Sequence, residues 1–256
     1  MTKRIRLWVL AAGAAFFLSG CQAVTKEQLA LREQGIACME QGDYAGAVEQ
    51  FDQAVTDSRR VTEFEEDVLK YRAEAEFMLK DYGAAAHTYE ILSQIDEERP
   101  EYFYFWGLNL ARSGDAEGAA EKIGQAAALD SDKNAPGYTE AMEALGEAWL
   151  SAGNQEQAEA VYQELLNSGK ADAGVYNRLA LADMEAGNYE KALEYIEQGL
   201  ALGQDGDAAR ELLFNQAVCR EYLGEYEQAL ELFRTYAEKF GEDETVRHEI
   251  AFLETR

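Results

Sequence analysis

Proline is nearly absent from this chain, and no stretch is rich in serine or glycine. The 256 residues contain only two prolines, so the composition argues against long disordered segments. Apolar residues make up 47% of the sequence and charged residues 28%, which is the usual balance of a folded domain. We therefore expect most of the chain to fold.

Basic residues are also scarce. Lysine and arginine together number 23, against 49 aspartates and glutamates, and the formal net charge is −26. A surface this acidic repels the phosphates of DNA and RNA. The composition therefore predicts that the chain has no nucleic-acid partner, but it does not identify the partner that the chain does bind.

The residues that most often carry catalysis or hold metals do not form a recognisable set. The two histidines, His87 and His248, are far apart in the sequence, and no zinc-protease, nucleophile-elbow or phosphate-loop motif is present. Asp130, Asp132 and Asn134 have the spacing of the first ligands of a calcium loop, but alanine stands where that loop needs glycine and glutamate. The sequence thus predicts a protein that is not an enzyme and has no cofactor or metal site.

The amino-terminal segment differs from the rest of the chain. Three basic residues, at positions 3, 4 and 6, precede an apolar run over residues 7–20. A membrane-spanning helix needs about 20 apolar residues, so this run better fits the core of an export signal. It ends in Leu-Ser-Gly followed by Cys21, an ending that resembles the lipobox of bacterial lipoproteins.

This resemblance implies a signal peptide over residues 1–20, cleavage before Cys21 and lipidation of the Cys21 sulfur. Residues 21–27 would then be the acylated cysteine and a short tether, and the protein would be lipid-anchored in a cell membrane, facing outside the cytoplasm. Two or more acyl chains hold a protein firmly to a bilayer. The alternative is an ordinary export signal that is cleaved after Ala23.

The remaining sequence repeats one short turn motif. The stretch QGDYAGAVEQF, at residues 41–51, returns in altered form as AGNYEKALEYI and as LGEYEQALELF. Six such turns begin at Gly42, Lys80, Gly114, Gly153, Gly187 and Gly224, at steps of 38, 34, 39, 34 and 37 residues. A base period of 34 residues is typical of stacked helix–turn–helix units.

Three positions keep the same character around every turn. Seven residues before it the residue is small, namely Gly35, Ala73, Gly107, Gly146, Ala180 and Ala217. Five residues after it the residue is alanine, namely Ala47, Ala85, Ala119, Ala158, Ala192 and Ala229. Nine residues after it the residue is large and apolar, namely Phe51, Tyr89, Ile123, Tyr162, Ile196 and Phe233. Small residues let two helices approach closely, and the large one fills the space between them.

With this spacing the chain resembles tetratricopeptide-repeat proteins, and it departs from them in lacking the proline that often closes each repeat. The resemblance implies an all-α superhelical solenoid of six repeats over residues 28–243. The repeats would span 28–61, 66–99, 100–133, 139–172, 173–206 and 210–243, and the insertions after every second repeat favour three pairs. Residues 244–256 carry an apolar stripe of Val246, Ile250 and Leu253, which predicts a terminal capping helix.

The family resemblance also implies a concave groove lined by the first helix of each repeat. Its predicted lining residues are Tyr71, Glu74, Phe77, Tyr104, Phe105, Leu108, Arg112, Asn177, Arg178, Phe214 and Val218. We expect Tyr104 and Phe105 to be exposed there as a hot spot, unless neighbouring repeats cover them. Asn177 and Arg178 match only part of a peptide-carboxylate clamp, so that activity is not predicted.

Two functions are compatible with these features. The first is a membrane-anchored adaptor or scaffold outside the cytoplasm that binds a protein or peptide in the groove. Lipoproteins of similar build include pilotins, outer-membrane assembly factors and adaptors of cell-wall hydrolases, and the sequence does not choose among them. The second is a structural or small-ligand-handling envelope lipoprotein, for which we would expect a closed pocket rather than an open groove.

Overall fold

The computed structural model describes residues 24–55 and 62–256, and these residues form helices and no strand. The predicted signal peptide and Cys21 lie outside the described residues. Backbone contacts divide the described residues into two compact units, a first unit that ends at Gly153 and a second unit that begins at Asn154. The all-α helical-repeat fold expected from the sequence is confirmed.

The described residues of the first unit form seven helices: α1 (Lys26–Glu40), α2 (Tyr44–Val55), α3 (Glu63–Met78), α4 (Tyr82–Ile95), α5 (Pro100–Ser113), α6 (Ala116–Leu129) and α7 (Tyr138–Ser151). Six belong to the second: α8 (Gln155–Asn167), α9 (Ala173–Glu185), α10 (Tyr189–Ala201), α11 (Asp207–Tyr222), α12 (Tyr226–Phe240) and α13 (Glu244–Leu253). The boundary between the units falls within the fourth predicted repeat, so α7 lies in the first unit and α8 in the second.

The predicted turns lie where the sequence places them. Five of the six begin with a glycine in the left-handed region of backbone space, where a side chain is unfavourable. The sixth begins with Lys80, which adopts φ +62° despite its side chain. Each turn therefore ends one helix and starts the next by the same backbone reversal.

The residue after each turn start caps the next helix with its side chain only where it is an aspartate. Asp43, Asp81 and Asp115 each accept a hydrogen bond from the backbone N–H three residues later, at 2.9–3.1 Å. No such bond is made by Asn154 or Asn188. The Asn188 amide instead donates to the carboxylate at position 183 in the preceding helix, 3.3 Å away.

The predicted packing positions form the core of each unit. All eighteen small, alanine and large apolar positions are buried. Small and large residues face each other within a repeat, because a Cβ atom added to Gly35 would lie 2.4 Å from Phe51 Cε1 and one added to Gly107 would lie 2.6 Å from Ile123 Cγ1. The last helix covers the end of the second unit, where Val246 packs with the cluster around Phe233.

Within the described ranges, the helices are too short or too polar to cross a membrane.

Candidate partner-binding site

Seven of the predicted groove residues lie on α3 and α5 in the first unit, and the expected exposed patch is not there. Tyr104 has no solvent-exposed surface, so the expectation that it is exposed is wrong. Its ring packs edge-on against Tyr138, with the ring centroids 5.5 Å apart. Leu108, predicted in the same groove, is also buried.

The residues that cover this patch come from the insertion after the third repeat. Gly137 lies so close to Phe105 that a Cβ atom on it would be 2.9 Å from the Phe105 ring. Tyr138, which starts α7, covers Tyr104. A period of 34 residues leaves this insertion out of the repeat, which is why the repeat pattern alone left the aromatic residues uncovered.

Phe105 is half-buried and belongs to a tight crevice rather than to an open groove. Its ring stacks on Tyr89 with the centroids 5.3 Å apart. The crevice has no space for a water molecule, and its lining consists of Glu74, Phe77, Tyr89, Phe105, Leu108 and Asn109. The predicted groove residues Glu74, Phe77, Phe105 and Leu108 are therefore brought together, but around a narrow slot.

Apart from the buried Tyr104, the two remaining predicted residues of this unit, Tyr71 and Arg112, do not line the crevice. The Tyr71 ring stacks on Phe51, 5.9 Å between centroids, and the Arg32 guanidinium lies 5.1 Å above it. Arg112 is exposed and pairs with Glu147, with Nη1 2.6 Å from Oε2. Exposed ion pairs of this kind contribute little to stability.

An open groove exists in the second unit, between α9, α11 and the start of α13. Its volume is about 600 Å³ and it is open to solvent. Its lining consists of Asn177, Arg178, Leu181, Asp207, Arg210, Glu211, Phe214, Asn215, Tyr236, Asp243 and Thr245. Three predicted site residues, Asn177, Arg178 and Phe214, are therefore brought together here.

Asn177 is buried in the groove wall, and its amide is already occupied. Its Nδ2 donates to Glu211 Oε2 at 2.7 Å, and its Oδ1 accepts from Asn215 Nδ2 at 2.9 Å. These bonds join α9 to α11 and fix the direction of the Glu211 carboxylate. Since a buried amide left unpaired is costly, Asn177 is better suited to holding the wall than to gripping a ligand.

The two arginines of the groove differ in what holds them. Arg210 donates from Nε to the Tyr236 hydroxyl at 2.7 Å and lies over the Tyr236 and Phe240 rings. Arg178 is exposed, and within the described part of the chain it makes no hydrogen bond or ion pair. Arg178 is therefore the cation that this wall offers to a ligand without breaking an existing contact.

Phe214 forms the apolar floor beside these charges. It is half-buried and meets Phe233 and Tyr236 edge-on, with centroid distances of 5.5 and 5.7 Å. Val218, which was also predicted to line the groove, is half-buried against the neighbouring core cluster and does not line it. The groove thus combines an apolar floor with walls of fixed polar groups, as peptide-binding surfaces do.

Most of the polar residues that line the groove were not predicted from the sequence. These are Asp207, Arg210, Glu211, Asn215, Tyr236, Asp243 and Thr245. One signal was available for two of them, because Arg210 and Glu211 stand about one turn before Phe214 on the same helix. Thr245 belongs to the segment that was predicted only as a cap, and Asp243 is the last residue of the sixth predicted repeat.

Comparison with solved structures supports the fold. PilF of Pseudomonas aeruginosa aligns with a TM-score of 0.60 at 15% identity, covering 90% of this chain and 97% of PilF. PilW, a type IV pilus biogenesis factor, aligns with a TM-score of 0.59 at 18% identity, covering 90% of this chain and 99% of PilW. MamA aligns with a TM-score of 0.57 at 17% identity, covering 69% of this chain and 91% of MamA. At these identities the likeness shows the fold alone.

No curated protein sequence matches the chain. A family model described as tetratricopeptide repeat does match, over residues 32–100, 104–174 and 177–244. Each stretch overlaps two consecutive repeats of those predicted from the sequence. Since together they cover most of the residues, the chain belongs to the tetratricopeptide-repeat family.

Proposed function

We propose that this protein is a non-catalytic adaptor, anchored by lipid at Cys21 and facing outside the cytoplasm, that binds a segment of a partner protein in the groove of the second unit. The groove carries this proposal because it is open, about 600 Å³ in volume and lined by residues of α9, α11, α12 and the start of α13. A groove that is open to solvent can admit one segment of a longer chain, which an enclosed pocket cannot do. The alternative of small-ligand handling called for an enclosed pocket, and the crevice of the first unit has no space even for water.

The charged residues of the groove indicate which kind of partner segment would bind there. Glu211 and Asp243 are engaged, the first by Asn177 and the second by the backbone N–H of Val246. Arg178 remains unpaired in the described part of the chain and can receive an acidic side chain or a backbone carbonyl. Phe214 offers an apolar contact, so the fitting segment combines an apolar side chain with an acceptor group.

The anchor is proposed from the sequence. The basic start, the short apolar run and the Leu-Ser-Gly-Cys ending together support export followed by acylation of Cys21. The short tether over residues 22–27 would then hold the repeats close to the membrane surface. PilW, which shares the fold, is a pilus biogenesis factor, and at 18% identity it does not assign this chain to that pathway.

Reversing the charge of Arg178 should abolish partner capture without unfolding the protein. Losing a hot-spot contact costs about 2 kcal/mol in binding, or roughly thirtyfold in affinity. We would capture partners from envelope extract on the acylated wild-type protein and on Arg178→Glu, and identify them by mass spectrometry. The matched control is Arg234→Glu, which changes the net charge equally but lies outside the groove, in an exposed pair with Glu254.

A protein retained by wild type and Arg234→Glu but lost from Arg178→Glu supports the proposal. Equal capture by all three forms, with unchanged melting temperatures, would place the binding surface elsewhere on the molecule.

Labelling with a fatty-acid analogue should mark wild type and leave Cys21→Ala unmarked, because the thiolate of Cys21 is the only acceptor that the lipobox resemblance implies. Labelling would be measured on the protein purified from cells of its native type. Cys38→Ala serves as the control, since it removes a cysteine outside the lipobox, and it should label as wild type does. Equal labelling of Cys21→Ala would refute the lipid anchor.

A further inference from the structure

The tight crevice of the first unit contains one buried acceptor without a partner, the Asn109 Oδ1 atom, and it is also lined by the half-buried carboxylate of Glu74. Glu74 is half-buried, and within the described residues its carboxylate makes no hydrogen bond or ion pair. Asn109 is 1% exposed, and its Oδ1 has no hydrogen-bond partner, whereas its Nδ2 donates to the backbone carbonyl of Phe105 at 2.8 Å. Buried acceptors without partners are rare in folded proteins and call for an explanation.

The surroundings of these acceptors favour positive charge. The rings of Phe77, Tyr89 and Phe105 line the same crevice. The faces of aromatic rings attract cations, and the attraction grows when water is excluded. Burial raises the pKa of the Glu74 carboxyl, which means that the site as it stands penalises the ionised form and gains most from a cation placed against it.

We propose that this crevice is a receptor for the ammonium group of a lysine side chain carried by a basic segment of a partner protein. Glu74 supplies the counter-charge and Asn109 Oδ1 accepts a second hydrogen bond. The aromatic rings hold the methylene stem, as apolar surfaces do for lysine. The net charge of −26 supplies the complementary field that draws a basic segment to the surface.

The geometry favours lysine over other cations. A metal ion needs more ligands than one carboxylate and one amide oxygen, and the described residues offer no group of three metal-binding side chains. The crevice is too narrow for a water molecule at present, so an occupant must be slender and must displace a ring as it enters. Phe77 is the ring placed to move, because it is half-buried and stands next to the exposed Met78 at the end of α3.

This receptor is separate from the groove of the second unit and does not depend on it. Its residues lie on α3, α4 and α5, all in the first unit. A variant that blocks it should leave binding at Arg178 unchanged, and the reverse should also hold. Failure of one proposal therefore leaves the other standing.

The test uses a capped pentapeptide, acetyl-Gly-Gly-Lys-Gly-Gly-amide, titrated into the detergent-solubilised full chain at physiological salt, where long-range attraction is screened. NMR of asparagine-labelled protein reports on the Asn109 side-chain amide. We expect this signal to shift with the lysine peptide and not with a control peptide in which norleucine, which has no ammonium group, replaces the lysine. Glu74→Gln should weaken binding at least tenfold, and Glu117→Gln, which removes an exposed carboxylate on α6, should bind as wild type does.

Glu74→Gln should fold at least as stably as wild type at pH 7. Burial raises the pKa of Glu74 in the folded state, so ionisation opposes folding above the pKa of the unfolded chain, and removing the charge relieves that penalty. The proposal is overturned if the Asn109 signal does not move with the lysine peptide, or if Glu74→Gln binds it as well as wild type. An arginine peptide that binds as tightly as lysine would overturn the choice of occupant.

Discussion

Replacing Tyr104 by alanine should lower the free energy of unfolding by about 3–5 kcal/mol, the usual cost of emptying the site of a buried aromatic side chain. Tyr104 has no exposed surface and packs against Tyr138, so its removal leaves a cavity at the contact between α5 and α7. Urea denaturation followed by circular dichroism would measure the change.

Leu129→Ala is the matched control for this experiment, because Leu129 is 47% exposed at the end of α6. It should change the free energy of unfolding by no more than about 0.5 kcal/mol. Similar stability of Tyr104→Ala and Leu129→Ala would show that Tyr104 is exposed after all. The outcome also affects binding studies, since a partner lost from Tyr104→Ala would report damage to the fold rather than a missing contact.

The same substitution at two glycines should change stability in opposite directions. Gly107→Leu should destabilise the protein by about 3 kcal/mol, because its Cβ would lie 2.6 Å from Ile123 Cγ1 and 3.1 Å from the Ala119 carbonyl oxygen. At Gly124, in the middle of α6, a Cβ would meet nothing within 4 Å. Gly124→Leu should therefore stabilise the protein by about 0.5–1 kcal/mol, since glycine weakens a helix interior.

The free energies of unfolding of Gly107→Leu, Gly124→Leu and wild type would be measured by thermal or chemical denaturation. Both substitutions add the same side chain, so they differ only in what the side chain meets. Loss of stability of equal size at both positions would mean that Gly107 does not lie at a close contact between helices.

The repeat register could be predicted because small and large side chains recur at fixed positions in every repeat. Gly35 and Phe51 face each other in the structure, as the small and large positions of the pattern require. The left-handed turns could be predicted as well, since glycine tolerates that backbone conformation. Side-chain size and the backbone freedom of glycine are properties of single residues, so they can be read from one sequence.

The surface was harder to predict because it depends on residues outside the repeating unit. The repeat pattern alone leaves the aromatic side chains of α5 uncovered, but in the structure Gly137 and Tyr138, which follow the third repeat, cover them. In the second unit the groove is completed by Thr245, from the capping segment that follows the last repeat. A periodic pattern describes what all repeats share, whereas a binding surface depends on where individual repeats differ.

The helix end at Lys80 has a consequence for motion. The left-handed backbone conformation destabilises a residue that has a Cβ atom by roughly 1–2 kcal/mol relative to glycine. Lys80 adopts this conformation, with φ +62°, whereas the other predicted turns begin with glycine. The last turn of α3 is therefore less stable than the last turns of the helices that end at glycine, and its local unfolding costs less free energy. Phe77 stands three residues before Lys80, so we expect fraying of this helix end to loosen the contact between the Phe77 and Tyr82 rings, whose centroids are 5.6 Å apart.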